Sequence, residues 1–151
     1  MADMLWPMRK PVIRPAHPHD AAALTRAIDA AYAVYAGRGL SLPPVSDGVA
    51  EAIAETPVYV AETAAGIVGG IILRLGDSAQ IENIAVAPDG AGQGIGRALM
   101  TRAETAARDA GYSRLILSTH EKLLETRRFY ARLGWKETGS QGAKVLFAKT
   151  L

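Results

Sequence analysis

The chain has 151 residues, a formal net charge of +2, 49% hydrophobic and 21% charged residues, and no cysteine. That length suits one domain able to bury a core, and the scattered basic residues leave no footprint for nucleic acid. The lack of cysteine excludes disulfides, thiolate metal sites and any acyl-cysteine intermediate, and it matches a reducing cytoplasm.

Residues 1–10 read as a loose tail, in which Asp3 and Pro7 interrupt a short apolar stretch and make it a poor signal peptide. Residues 11–151 are expected to form a single domain. "PVIRPA" predicts a short strand, after which His17-Pro18-His19-Asp20 opens a helix with proline at its first position. Leu24, Ile28, Ala31 and Tyr35 give that helix one apolar face. "GRGLSLPPVSDG" is punctuated as a loop, and "DGVAEAIAET" predicts a second, shorter helix.

"PVYVAET" and "GIVGGIILRL" read as a hairpin turning around Ala64–Gly66. The longest apolar run, "AAGIVGGIILRL", is broken by Arg74 and is too short to span a membrane. "AQIENIAVAP" predicts a fourth strand that Pro88 ends. From Ile95, the residues Ala98, Leu99, Ala103, Ala106 and Ala110 continue as an amphipathic helix that Gly111 stops. "YSRLILSTH" is a fifth, apolar and therefore central strand. "KLLETRRFYARLG" is a last helix, and "KETGSQGAKVLFAKTL" supplies one or two terminal strands. The order β-α-α-β-β-β-α-β-α-β(β) predicts an α/β (α+β) fold, a mixed sheet with helices on its faces.

"APDGAGQGIGRAL", Ala87 to Leu99, sets Gly90, Gly92, Gly94 and Gly96 between a strand and a helix. The first turn of a helix leaves backbone N–H groups unpaired at the positive end of its dipole. Glycines there let an anion approach, and Arg97 adds a full charge, so the run reads as a phosphate or pyrophosphate cradle. It is not a P-loop, since no Gly-Lys pair occurs in the chain. It is not a dinucleotide fingerprint either, since each register of G-x-G-x-x-G fails at its last position, on Ile95, Arg97 or Leu99.

"AGQGIG", Ala91 to Gly96, resembles the acetyl-CoA signature [QR]-x-x-G-x-[GA] of the GNAT superfamily of N-acetyltransferases. "IAVAP" before it, "RAL" after it, and "FYARLGW" from Phe129 to Trp135 are similar to the same family, in the same order. Two places depart from the pattern. Ala91 stands at the first signature position, and Thr126 and Leu123 stand where many members carry an asparagine.

The resemblance implies a GNAT fold whose fourth and fifth strands splay around the pantetheine arm of acetyl-CoA. It implies backbone contacts from Ile84, Ala85 and Val86 to that arm. The pyrophosphate falls to Ala91, Gly92, Gln93, Gly94, Ile95, Gly96 and Arg97, with Thr126 and Phe129 also beside the cofactor. Transfer of acetyl to a primary amine by direct attack in a ternary complex is the implied reaction, with no metal.

An alkylamine with a pKa of about 10.4 is neutral in about one molecule per thousand at pH 7, so a base helps. Glu82 is the acidic candidate by position, with Glu62 or His120 as alternatives. Tyr130, protonated at neutral pH, is the candidate proton donor to the thiolate. A backbone N–H near Ala85 or Val86 would hold the oxyanion. Against each stands a plainer reading: a packed amphipathic tyrosine, a solvated glutamate, a strand-to-helix loop. Tyr32 and Tyr35 are open between core and acceptor pocket. A non-catalytic acyl-CoA-binding module, or a subunit dependent on a partner, is the rival function. The acceptor, a small molecule or a peptide, is not specified, and a homodimer is the common state for such chains.

Overall fold

The computed structural model describes residues 10–39 and 46–151. The expected tail lies outside the described residues except for Lys10, as does the stretch 40–45 of the loop after the first helix. The elements are β1 (Val12–Pro15), a 3₁₀ turn (Pro18–Asp20), α1 (Ala21–Gly37), α2 (Val49–Glu55), β2 (Val58–Thr63), β3 (Gly66–Leu75) and β4 (Ala79–Val86). A second 3₁₀ turn (Pro88–Gly90) is followed by α3 (Ile95–Asp109), β5 (Arg114–His120), α4 (Leu124–Arg132), β6 (Lys136–Gln141) and β7 (Lys144–Thr150). This is the expected order, with both terminal strands present.

The seven strands form one mixed sheet in the order β1-β2-β3-β4-β5-β7-β6. Every neighbouring pair is antiparallel except β4 and β5. Two cores flank it. In one, Ile95, Leu99, Met100, Ala103 and Ala107 of α3 lie against Ile71, Leu73, Leu115 and Phe147 of the sheet, with Tyr130 and Trp135 beside them. In the other, Leu24 and Ile28 of α1 and Val49 of α2 cover Val58, Val60 and Ile72. Burying each of the valine, leucine, isoleucine, methionine and phenylalanine side chains among these stabilises the fold by about 1.5–3 kcal/mol.

The buried stripe of α3 is rotated from the expected one: Met100 and Ala107 are buried, whereas Ala98 and Ala106 are half-buried and Ala110 is exposed. Alanine fits either side of a helix, so the larger Ile95, Leu99 and Met100 decide which face meets the sheet. On α1 the apolar face is buried only at Leu24, Ala27 and Ile28. Ala31, further along, packs on the edge of that core and, with Tyr35, forms cavity wall. Among the described residues no helix is long and apolar enough to cross a membrane.

Candidate active site

The site is built on β4. Its register against β3 pairs Leu73 with Ile81 and Ile72 with Asn83, leaving Glu82 as the extra residue of a β-bulge. A bulge bends its strand and shifts the side-chain phase by one residue. Ala79 and Ile81 therefore lie in the core under α3. After the bulge, Ile84 and Val86 pack on that core while Ala85 turns to the α1–α2 side. Along its other edge, β4 pairs with β5 only at Ala79–Leu115 and Gln80–Ile116. Beyond these the strands part, and a cavity of about 800 Å³ opens between them.

Ile84, Ala85 and Val86 wall the cavity from β4, and Leu117, Ser118, Thr119 and His120 from β5. Tyr32 and Tyr35 of α1 face Thr126, Phe129 and Tyr130 of α4 across it, with Gly96 at the start of α3. The helices α1 and α4 are tied at this point. The hydroxyls of Tyr35 and Thr126 share a hydrogen bond of 3.3 Å, and Arg38 lies 3.9 Å from Glu125. Thr126 thus spends its hydroxyl on α1.

The glycine run divides into two kinds of position. Gly92 and Gly94 have φ of +77° and +71° with nothing near a notional Cβ, so they supply a backbone conformation and open space. Gly90 and Gly96 are packing positions, where a Cβ would meet Val68 at 2.9 Å and the Phe129 ring at 3.1 Å. The first bond of α3 runs from the Ala98 N–H to the Gly94 carbonyl at 3.1 Å, so the N–H groups of Ile95, Gly96 and Arg97 precede the ladder. Ala91, Gly92, Gln93, Gly94 and Arg97 are exposed, whereas the Ile95 side chain is buried and offers only its backbone. Gln93 donates to the Asp89 carbonyl at 3.4 Å. An open, donor-rich helix start beside a deep cavity suits a diphosphate joined to a long, mostly apolar arm.

Tyr130 is buried against the rings of Phe129, Trp135 and Phe147, with centroids 5.6, 6.1 and 5.5 Å away. Burial, reinforced by Tyr32 and Tyr35, pushes its phenol well above the ordinary tyrosine value. Its hydroxyl makes no hydrogen bond among the described residues, and at neutral pH it is protonated. Burial raises Tyr32 in the same direction.

Of the candidate bases, Glu82 lines the cavity, and one of its carboxylate oxygens receives the Arg74 guanidinium at 2.7 Å. Glu62 does not line it; Arg14 engages that carboxylate at 3.3 Å on the β1–β2 side. Glu82 also borders a second cavity of about 560 Å³, walled by Asp47, Glu51 and Glu55 with Arg74. Sequence reasoning missed these acids, although Glu51 and Glu55, four apart on one helix, carried the signal.

This chain matches the acetyltransferase (GNAT) domain over residues 54–137, more than half its length. It belongs to the GNAT acetyltransferase family. Among curated proteins, this GNAT chain is similar to the aminoalkylphosphonate N-acetyltransferase of Salmonella typhimurium, at 39% identity over 67 residues. That match spans 44% of each protein, so the chain covers less than half of this relative. In fold it is similar to the PaiA N-acetyltransferase of Thermoplasma acidophilum, solved in complex with coenzyme A. The TM-score is 0.85 at 16% identity, over 95% of this chain and all of the other. The ribosomal-protein-S18-alanine N-acetyltransferase of Escherichia coli gives a TM-score of 0.75 at 20% identity over 93% of each chain. At these identities the structures establish the fold, a mixed sheet with a parted β4–β5 pair.

Proposed function

We propose that residues 11–151 act as one acetyl-CoA-dependent N-acetyltransferase domain, working in the cytoplasm on a primary amine. The observation that carries this reading is the gap between β4 and β5, which opens into a cavity beside the free N–H groups of α3 in a chain of this family. The exposed backbone from Ala91 to Arg97 would hold the pyrophosphate. Backbone groups of Ile84, Ala85 and Val86 would hold the pantetheine arm, with Phe129 and Thr126 on the opposite wall.

In direct attack the amine nitrogen bonds to the acetyl carbon, the carbon–sulfur bond breaks, the nitrogen gives up one proton and the sulfur gains one. Glu82, which lines the cavity, would draw the nitrogen's proton through water. Tyr130 supplies an O–H to the departing sulfur; because its phenol stays protonated, the donor is present throughout the neutral range. An N–H near Ala85 or Val86 would stabilise the developing oxyanion.

Calorimetric titration with acetyl-CoA, with CoA and ATP as controls, tests the reading. Saturable binding that Gly94→Trp weakens supports the cradle; no binding of any CoA species overturns it. Thiol release would then be followed with benzylamine, spermidine and aminomethylphosphonate, which span apolar, polycationic and anionic acceptors. Binding without turnover of any amine favours the rival, a non-catalytic acyl-CoA-binding module.

A further inference from the structure

His120 ends β5 and lines the same cavity as Tyr130. The turn after the strand holds its ring, because the Lys122 backbone N–H donates to Nδ1 at 3.1 Å. The turn is itself pinned by the Glu121 N–H, which donates to the Ala143 carbonyl at 2.7 Å. A nitrogen that accepts from an N–H presents a lone pair, so the neutral ring carries its proton on Nε2. Nδ1 is thus occupied, and the remaining ring nitrogen of this cavity-lining residue is a donor.

The position is also informative. The β4–β5 register pairs Ala79 with Leu115 and Gln80 with Ile116. His120, at the end of β5, stands beyond the point where the two strands part, on the opposite lip of the gap from the later residues of β4. Lys144 of β7 is the cross-strand partner of His120, and Glu82 and Glu125 are the carboxylates that line the cavity with it. A base at His120 would have to take its proton at Nδ1 and break the hydrogen bond that shapes the turn.

We propose that His120 donates a hydrogen bond through Nε2–H to the carbonyl oxygen of the acyl group, and is not the base. The proposal rests on the acetyltransferase reading above. As the acyl carbon becomes tetrahedral its oxygen gains negative charge, and a fixed donor then binds more strongly than in the ground state. The proton stays on His120 throughout, so nothing else need be supplied.

The first test needs no acceptor. The chain has three histidines, so long-range ¹H–¹⁵N spectra of histidine-labelled protein resolve each ring, with His120→Asn assigning the third. The Nε2–H tautomer is expected for His120 in the neutral ring, with a shift of that proton on saturation with acetyl-CoA. An Nδ1–H tautomer overturns the proposal. If acetyl-CoA moves the backbone signals of Gly92 and Gly94 but leaves His120 unmoved, the donor role fails while the cofactor reading stands. If it moves neither, the cofactor reading fails and the proposal with it.

Kinetics with the probe amine turned over fastest give the second test. Gln offers an amide N–H in place of Nε2, and Asn an amide oxygen in place of Nδ1. His120→Gln is expected to keep most of kcat, whereas His120→Asn loses about 10²-fold in kcat with KM for acetyl-CoA little changed. Equal loss in both, with the acidic limb of the pH profile abolished, would make His120 the base. An unimpaired His120→Asn enzyme would remove it from the chemistry.

Discussion

The Phe129 ring rests on Gly96, its Cζ 3.1 Å from where a Cβ would stand, so the start of α3 and the body of α4 share one contact. Tyr130 is the next residue on α4. Gly96→Ala forces that ring to yield by a few tenths of an ångström. Its packing cost, about 1 kcal/mol, is opposed by alanine's better helix propensity, of similar size. Melting temperature is therefore expected to move little while kcat falls severalfold. Adding Phe129→Leu should recover part of the loss, and strictly additive losses would show that the two residues act separately.

Tyr130→Phe removes a hydroxyl with no partner among the described residues. No internal hydrogen bond is lost, so thermal stability and CoA affinity should persist while kcat drops about tenfold or more. Turnover equal to that of the parent would eliminate the hydroxyl from the reaction.

The Tyr35–Thr126 hydrogen bond joins α1 to α4 over the cavity. Tyr35→Phe and Thr126→Val each break it, and a bond of this kind is worth about 1 kcal/mol. Each variant is expected to raise the acceptor KM by about fivefold, with the double variant no worse than either alone. Additive effects on KM would mean that each side chain touches a substrate independently.

One contribution to acid stability comes from a pair that does not line the cavity. Arg14 donates to both carboxylate oxygens of the buried Asp20 at 2.8 and 3.2 Å, and this holds the acid at about 2. The folded value lies below the ordinary value of about 3.9, so the stabilisation is complete above that value and is lost as pH falls from about 4 to 2. Asp20→Asn keeps an acceptor for the His17 N–H but discards the charge. The variant should melt about 5 °C lower at neutral pH and show a flatter acid limb between those values. An unchanged limb would assign acid sensitivity to other carboxylates.

Element order was legible from periodicity and punctuation because each helix and strand keeps its own pattern and lies between Gly or Pro residues. The open turn before α3 was legible for a related reason: Gly92 and Gly94 have φ values that few other residues adopt. The roles of Gly90 and Gly96 were not, because crowding against Val68 and Phe129 comes from elements distant in the chain. The bulge at Glu82 was invisible too. "AQIENIAV" alternates before and after it, and only the β3 register reveals that the strand changes phase. Arg74, eight residues before Glu82, became its partner through that same register. The acidic second cavity needed the placement of α2 against β3 and β4.

The parted strands have a thermodynamic consequence for the whole molecule. Past Gln80, the β5-facing backbone of β4 has no strand to pair with, so this seven-stranded sheet carries a seam at its centre. On the reading proposed above, an acyl donor seated there would act as a keystone as well as a reactant, since it would bind only the folded chain. At 100 times its dissociation constant it adds about 2.7 kcal/mol to stability, or about 5–10 °C in melting temperature for a chain of this size. Resistance to heat and proteolysis should therefore track cofactor supply, making the lifetime of the protein a gauge of the acyl donor around it.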